Sequence, residues 1–154
     1  MGRMYTAVMD AQAVAAVCEL FFIAAPADAV VVVHEIVVTQ DAAETSEQLP
    51  LNVFRTATDQ AAKGSANTPA PLQAGDAAFG GTVRTNILIA ETFATETTML
   101  LRQSQNVLNG WQILPTPECR IVLSPSGRLA VKLDAAPAAS INISGYVVFE
   151  EIGG

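Results

Sequence analysis

A chain of 154 residues with a formal net charge of −7 is long enough for one domain with a real core. It is also too acidic to favour a phosphate backbone, which argues against nucleic acid as a partner. Hydrophobic residues reach 51% with only 6% aromatics, and charged residues only 15%, below the usual quarter, so the domain is short of polar surface and a partner is expected to cover part of it. No basic run suits an anionic membrane, and no apolar run approaches the roughly 20 residues of a membrane-spanning helix.

At the N-terminus, "AVAAVCELFFIAAPADA" has the look of a signal-peptide core, but Asp10, Gln12 and Glu19 interrupt it and no cleavage is expected. "MGRMYT" fits a myristoylation pattern, but that modification requires loss of Met1 and is not expected. Residues 1–14 read as an N-terminal arm, with a short strand at Tyr5–Met9, ahead of a single domain over 15–154. The alanines of "MDAQAVAAVCELF" admit a short helix, whereas the paired phenylalanines after it favour strand.

From there, period-two alternation dominates. Strands are predicted at Val17–Ile23, Val30–Thr39, Leu49–Thr56, Thr82–Ala90 and Thr98–Gln103. "CRIVL" and "RLAVKL" read as a hairpin across Pro125-Ser126-Gly127. In "SINISGYVVFEEI", Ile141, Ile143, Gly145, Val147 and Phe149 share the buried face. The total is eight or nine strands in an antiparallel two-sheet sandwich. Residues 58–80, rich in Ala, Gly and Pro, form one long loop expected to make contacts.

Two strands break the alternation. "VVVVHEIVV" and "VCELFFI" are apolar on both faces, and such strands need cover on both. In a sandwich that cover is a loop, the N-terminal arm or another subunit, so an oligomer or a docked partner is expected. Candidate contacts are Met4 and Tyr5 in the arm, Phe21, Ile23, Val31 and Val33 in the strands, and Pro69, Pro71, Leu72 and Phe79 in the loop.

Chemistry-bearing patterns are scarce. His34 is the sole histidine, with no nucleophile motif to serve, and reads as hydrogen-bonded at an interface or strand edge. Cys18 and Cys119, with His34, are too scattered to suggest a metal site; a disulfide between the two is open to them, but they read first as buried free thiols. Glu44–Glu47 and Glu150–Glu151 read as solvated charges or strand-end charges. "FGGTV" lacks the Lys-Ser/Thr of a phosphate loop and reads as a tight lead into a strand requiring positive φ. Asn142-Ile-Ser144 fits a glycosylation sequon, but it lies within a predicted strand. No catalytic, metal-binding or cofactor-binding residue is expected. Asn109-Gly110 signals a turn, Trp111 is expected to plug an end of the sandwich, and Pro115 and Pro117 hold an extended path.

The segments "NVLNGWQILPTPECRIVLSPSGRLAVKL" and "SINISGYVVFEEIG", preceded by "CELFFIAAPADAVVVVHEIVVTQ", "SEQLPLNVFRT" and "TPAPLQAGDAAFGG", resemble the cement, or decoration, proteins of tailed-bacteriophage heads. The resemblance runs from about residue 15 to the end. Asn109-Gly110-Trp111, Leu114-Pro115-Thr116-Pro117-Glu118, Ser144-Gly145 and Phe149-Glu150-Glu151 carry it most specifically. It implies a jelly-roll subunit, made in the host cytoplasm, that sits on the outer face of an icosahedral capsid. Such a subunit bridges major capsid proteins and associates as a homodimer or homotrimer. Cys119 stands where a second acidic residue would be expected, which weakens any essential charge there. Alternatives are a head-fibre base, a tail-associated jelly-roll, or a carbohydrate-binding sandwich. The last would display an aromatic patch beside carboxylates. An enzyme ranks behind these.

Overall fold

The structure is a computed structural model describing residues 2–41, 46–88 and 93–153. Its strands are β1 (Arg3–Val14), β2 (Cys18–Ala24), β3 (Ala29–Gln40), β4 (Gln48–Thr56), β5 (Ser65–Asn67), β6 (Ala70–Pro71), β7 (Thr82–Leu88), β8 (Glu96–Asn106), β9 (Trp111–Ile113), β10 (Ile121–Leu123), β11 (Arg128–Leu133) and β12 (Ile141–Gly153). No α-helix occurs among the described residues, and one 3₁₀ turn spans Pro117–Cys119. The last two residues of the strand expected at Thr82–Ala90 lie outside the described residues, as does Glu44.

The strands form two antiparallel sheets in the orders β10-β3-β12-β1-β6, with β9 also on β3, and β5-β7-β2-β11-β4-β8. Eight positions make the jelly-roll frame. The first sheet carries β1, β12, β3 and the split strand β9/β10, and the second carries β2, β11, β4 and β8. The chain is one long antiparallel ribbon wrapped around the core, with β1 on β12, β2 on β11, β3 on β9 and β10, and β4 on β8. Among the described residues there are twelve strands rather than eight or nine, because one frame strand is broken in two and three more (β5, β6, β7) lie in the long connection from β4 to β8. That insertion adds β7 beside β2, β5 beside β7, and β6 beside β1.

The frame follows from the alternation. On β12, Ile141, Ile143, Val147 and Phe149 point into the core; on β11, Leu129, Val131 and Leu133 do. Each fully buried Leu, Val or Phe contributes roughly 1.5–3 kcal/mol of apolar transfer, so a one-residue slip that turns these rows outward is strongly disfavoured.

Three expectations change. Residues 3–14 are no arm: β1 is an internal strand between β12 and β6, with Tyr5, Ala7, Met9 and Val14 buried. Its bulge, with Ala11 at φ 44°, restores the alternation after the polar Asp10. The strand expected at Tyr5–Met9 is the first part of β1; the bulge hid its continuation to Val14, and the alanine-rich stretch is not helical. Next, β10 and β11 are not a hairpin, because they lie in different sheets; Ser124–Gly127 carries the chain across, and Ser126 sits at φ 61°. Finally, neither glycine of "FGGTV" has positive φ. Gly81 is required by crowding, since a Cβ there would lie 2.2 Å from the Ala24 carbonyl oxygen.

Candidate interaction surfaces

The two sheets differ in what covers their outer faces. Outside the second sheet, Phe22 (β2), Ala130 (β11) and Phe54 (β4) form one cross-strand row, and Glu19, Lys132 and Asn52 the next. The chain covers both rows itself with residues 57–64 and 93–95. Phe54 and Ala130 pack on Ala94, Lys132 Nζ lies 4.8 Å above the Phe93 ring, and Arg84 Nε donates to the Lys63 carbonyl at 2.7 Å. Thr95 N donates to Thr58 Oγ1 and ties the two cover segments together.

Glu19 sits at the centre, fully buried, and its Oε1 accepts the Ala94 N–H at 2.5 Å. Burial pushes its carboxyl up from the ordinary range, against the opposing pull of the Ala94 bond, Lys132, Lys63 and Gln60. Burial also works against ionised Asp134, but the Lys132 ammonium, Asn52 and Arg102 outweigh it and hold that carboxyl low; Lys132 Nζ is 3.0 Å from Asp134 Oδ1. The second apolar face of "VCELFFI" is therefore covered by the protein's own insertion.

The outer face of the first sheet has no such cover among the described residues. Its rows run Met4–Glu150–Val32–Val122, Thr6–Val148–Glu35 and Val8–Tyr146–Val37–Gln112 across β1, β12, β3 and β10 or β9. Val8 is 55% exposed, and Val122 and Ile152 45% each, while Val30, Val32, Val37 and Val148 are half-buried. His34 lies at the β3–β12 bulge, with Nε2 3.2 Å from Glu150 Oε2. It is thus mid-sheet rather than at an edge. Glu150 and Glu151 are not solvated: Glu150 also accepts the Gly2 N–H, and the buried Glu151 pairs with Arg3 at 3.1 Å.

The expected contact residues separate accordingly. Met4 lies on the open face, and Leu72 is exposed at 57% beside half-buried Pro71. Tyr5, Phe21, Ile23, Val31, Val33 and Pro69 are buried, so the folded subunit does not present them to a partner. Phe79 packs with Tyr5 and Phe149, ring centroids 5.5 and 4.9 Å away, and Tyr5 Oη donates to the Ala77 carbonyl. Burial, reinforced by Glu151, raises the Tyr5 phenol. The distal part of the loop at 58–80 is therefore pinned by aromatic packing. The surface valines of β3 (Val30, Val32, Val37) were missed, although strand alternation from Val31 and Val33 places them on the opposite face.

At the other end of the sheets, Trp111 joins the layers. It is buried, pairs with Val38, and donates from Nε1 to Gln103 Oε1 on β8 at 3.0 Å. Asn109 N donates to the Asn106 carbonyl, and Gly110 takes φ 69°, which glycine adopts without strain. Pro117 opens the 3₁₀ turn and Pro115 lines a cleft of about 400 Å³ between β8 and β9/β10. Cys18 and Cys119 form no disulfide and Cys18 is buried, as expected, but Cys119 is exposed. Among the described residues no three His, Cys, Asp or Glu side chains gather to hold a metal, and no helix is long and apolar enough to cross a membrane. No family model, no curated protein and no solved structure matches the chain.

Proposed function

We propose that this protein is a non-catalytic decoration subunit that binds the outer surface of an assembled phage capsid, bridges major capsid proteins and stabilises the head. The observation that carries a docking role is the open outer face of the β1–β12–β3 sheet, where Val8, Val122 and Ile152 remain exposed while the equivalent face of the other sheet is covered from within. An exposed apolar patch on a small domain marks an interaction site. The choice of a capsid as the surface rests on the resemblance of Asn109–Glu118 and Ser144–Glu151 to cement proteins, and the jelly-roll strand order fits that resemblance.

Stabilisation needs no chemistry. A subunit that spans a seam must release its contacts before the seam opens, and a ligand of the assembled state raises that state's stability. Many modest contacts repeated over a closed lattice act multivalently. Self-association as a dimer or trimer would add to this. Met4, Val8, Val122 and the tip at Pro71–Leu72 take over the contact role first expected of an arm.

The test is to add purified protein to bare heads and compare the temperature of DNA release with and without it. Binding together with a raised release temperature supports the reading. Absence of binding overturns it and favours a tail or fibre component.

A further inference from the structure

We infer that the cleft between β8 and β9/β10 is a docking site for an extended segment of another protein, one that carries a carboxylate flanked by apolar side chains. The assignment is independent of capsid binding.

The edges of the two sheets are unequal. On one side they end in β5 and β6, three and two residues long, with Pro69 and Pro71 at the second. Short strands and prolines are how proteins blunt an edge against pairing. On the other side the second sheet ends in β8, eleven residues long, whose only ladder among the described residues is with β4. A long unpaired edge accepts an added strand through its main-chain groups.

Beside that edge the wall is apolar. The cleft is lined by Leu100, Leu101, Ile113, Pro115 and Ile121. A bulge opposite Val53 and Phe54 makes Leu100 an extra residue on β8, so adjacent leucines both reach the cleft.

The same cleft holds Arg55 and Arg120. Arg55 donates to the Val122 carbonyl at 3.2 Å, and Arg120 Nε is sealed from solvent with no hydrogen-bond partner. Neither guanidinium has a carboxylate partner among the described residues. The chain has fifteen Asp and Glu against eight Lys and Arg, so two unneutralised arginines in one cleft are the feature that sets the ligand's charge. Arg128, in the adjoining cleft that shares Arg55, is paired with Asp59 at 3.8 Å and is not counted. Exposed Glu118 lies near in sequence but pairs with neither. Planar guanidinium groups favour carboxylate in a bidentate geometry, and an apolar wall beside an open edge favours alternating apolar side chains over a free ion.

The probe is a fluorescein-labelled peptide of alternating Val and Glu, compared by anisotropy with one of alternating Val and Lys. The acidic peptide should bind at least about tenfold more tightly, a discrimination that weakens with salt. Arg120→Gln should reduce its affinity about tenfold, the loss of one charge-assisted contact, and Arg55→Gln by a similar factor. Bound peptide should slow alkylation of Cys119 in the cleft and protect β8 amides from hydrogen exchange. Among the described residues the Arg120 side chain has no hydrogen-bond partner, so its variant decides the matter even if Arg55→Gln unfolds. Equal affinity for the two peptides, no binding of the acidic one, or affinity unchanged by Arg120→Gln would overturn the assignment.

Discussion

The outer faces of the two sheets began from the same sequence feature and ended differently. "VCELFFI" and "VVVVHEIVV" are both apolar on both sides. Over β2 the insertion between β4 and β8 folds back and seals Phe22, Phe54 and Ala130, with Glu19 tying the cover down. Over β3 nothing in the described chain does so, and the valines stay half-buried or open. A doubly apolar strand signals that cover is required, but not whose. The 39-residue connection between β4 and β8 supplies it over the second sheet.

The largest effect should come from reversing inside and outside within the first sheet. Val33→Asp puts an unpaired charge into the core, where Val33 is 1% exposed, and should cost about 3–5 kcal/mol, as breaking buried compensation does. Val8→Asp, on the open face, should cost about 1 kcal/mol or less and yet abolish docking. Urea unfolding and head binding measured on both variants check this. If Val8→Asp unfolds the protein as Val33→Asp does, the face is not open.

A smaller effect is expected at the covered face. Glu19→Ala strands the buried Ala94 N–H without its acceptor and should cost about 1–3 kcal/mol. Hydrogen exchange should then rise in residues 57–64 and 93–95 before it rises in β12. Uniform loosening of the whole sandwich would contradict the role of Glu19 as a local tie.

The same residue sets a pH dependence. Its folded-state pKa is raised above the ordinary 4.5, so folding favours its protonated form. Its contribution is complete below that ordinary value and is lost as pH rises through the raised one. Asp134, held below the ordinary 3.8, has the opposite sign: its contribution is present above that value and lost as pH falls through the lowered one. Between about pH 4 and 8, urea midpoints of Glu19→Gln should fall less with rising pH than those of the native protein. Parallel curves would show that Glu19 does not titrate differently on folding.

The smallest effect separates the two thiols. Cys119 is exposed and Cys18 buried, so a thiol reagent should modify one cysteine in the native state and the second only after unfolding. Two fast thiols would mean that β2 is not sealed.

Much of the fold was legible from period two alone. Ile141, Ile143, Val147 and Phe149, and likewise Leu129, Val131 and Leu133, could face only one way once one face was buried, because side chains alternate strictly along a strand. Trp111 after Asn109-Gly110 was legible because the turn needs glycine and a large ring needs a core. Of β1 only Tyr5–Met9 was: Asp10 and Ala11 interrupt the pattern before Val14, and a bulge is a local departure that only the partner strand β12 makes favourable. The pairing of β10 was misread for a related reason, since a turn motif shows that the chain reverses but not whether it stays in its sheet.

The sequence by itself determined that this is an all-β chain with more apolar strand surface than a two-layer core can absorb, because composition and alternation are properties of single residues and their neighbours. Tertiary structure alone decided where that surplus lies, which acids are buried, and that Arg55 and Arg120 meet beside an open edge. Those facts depend on contacts such as Glu19 with Ala94, 75 residues apart, and no local pattern encodes a partner at that distance.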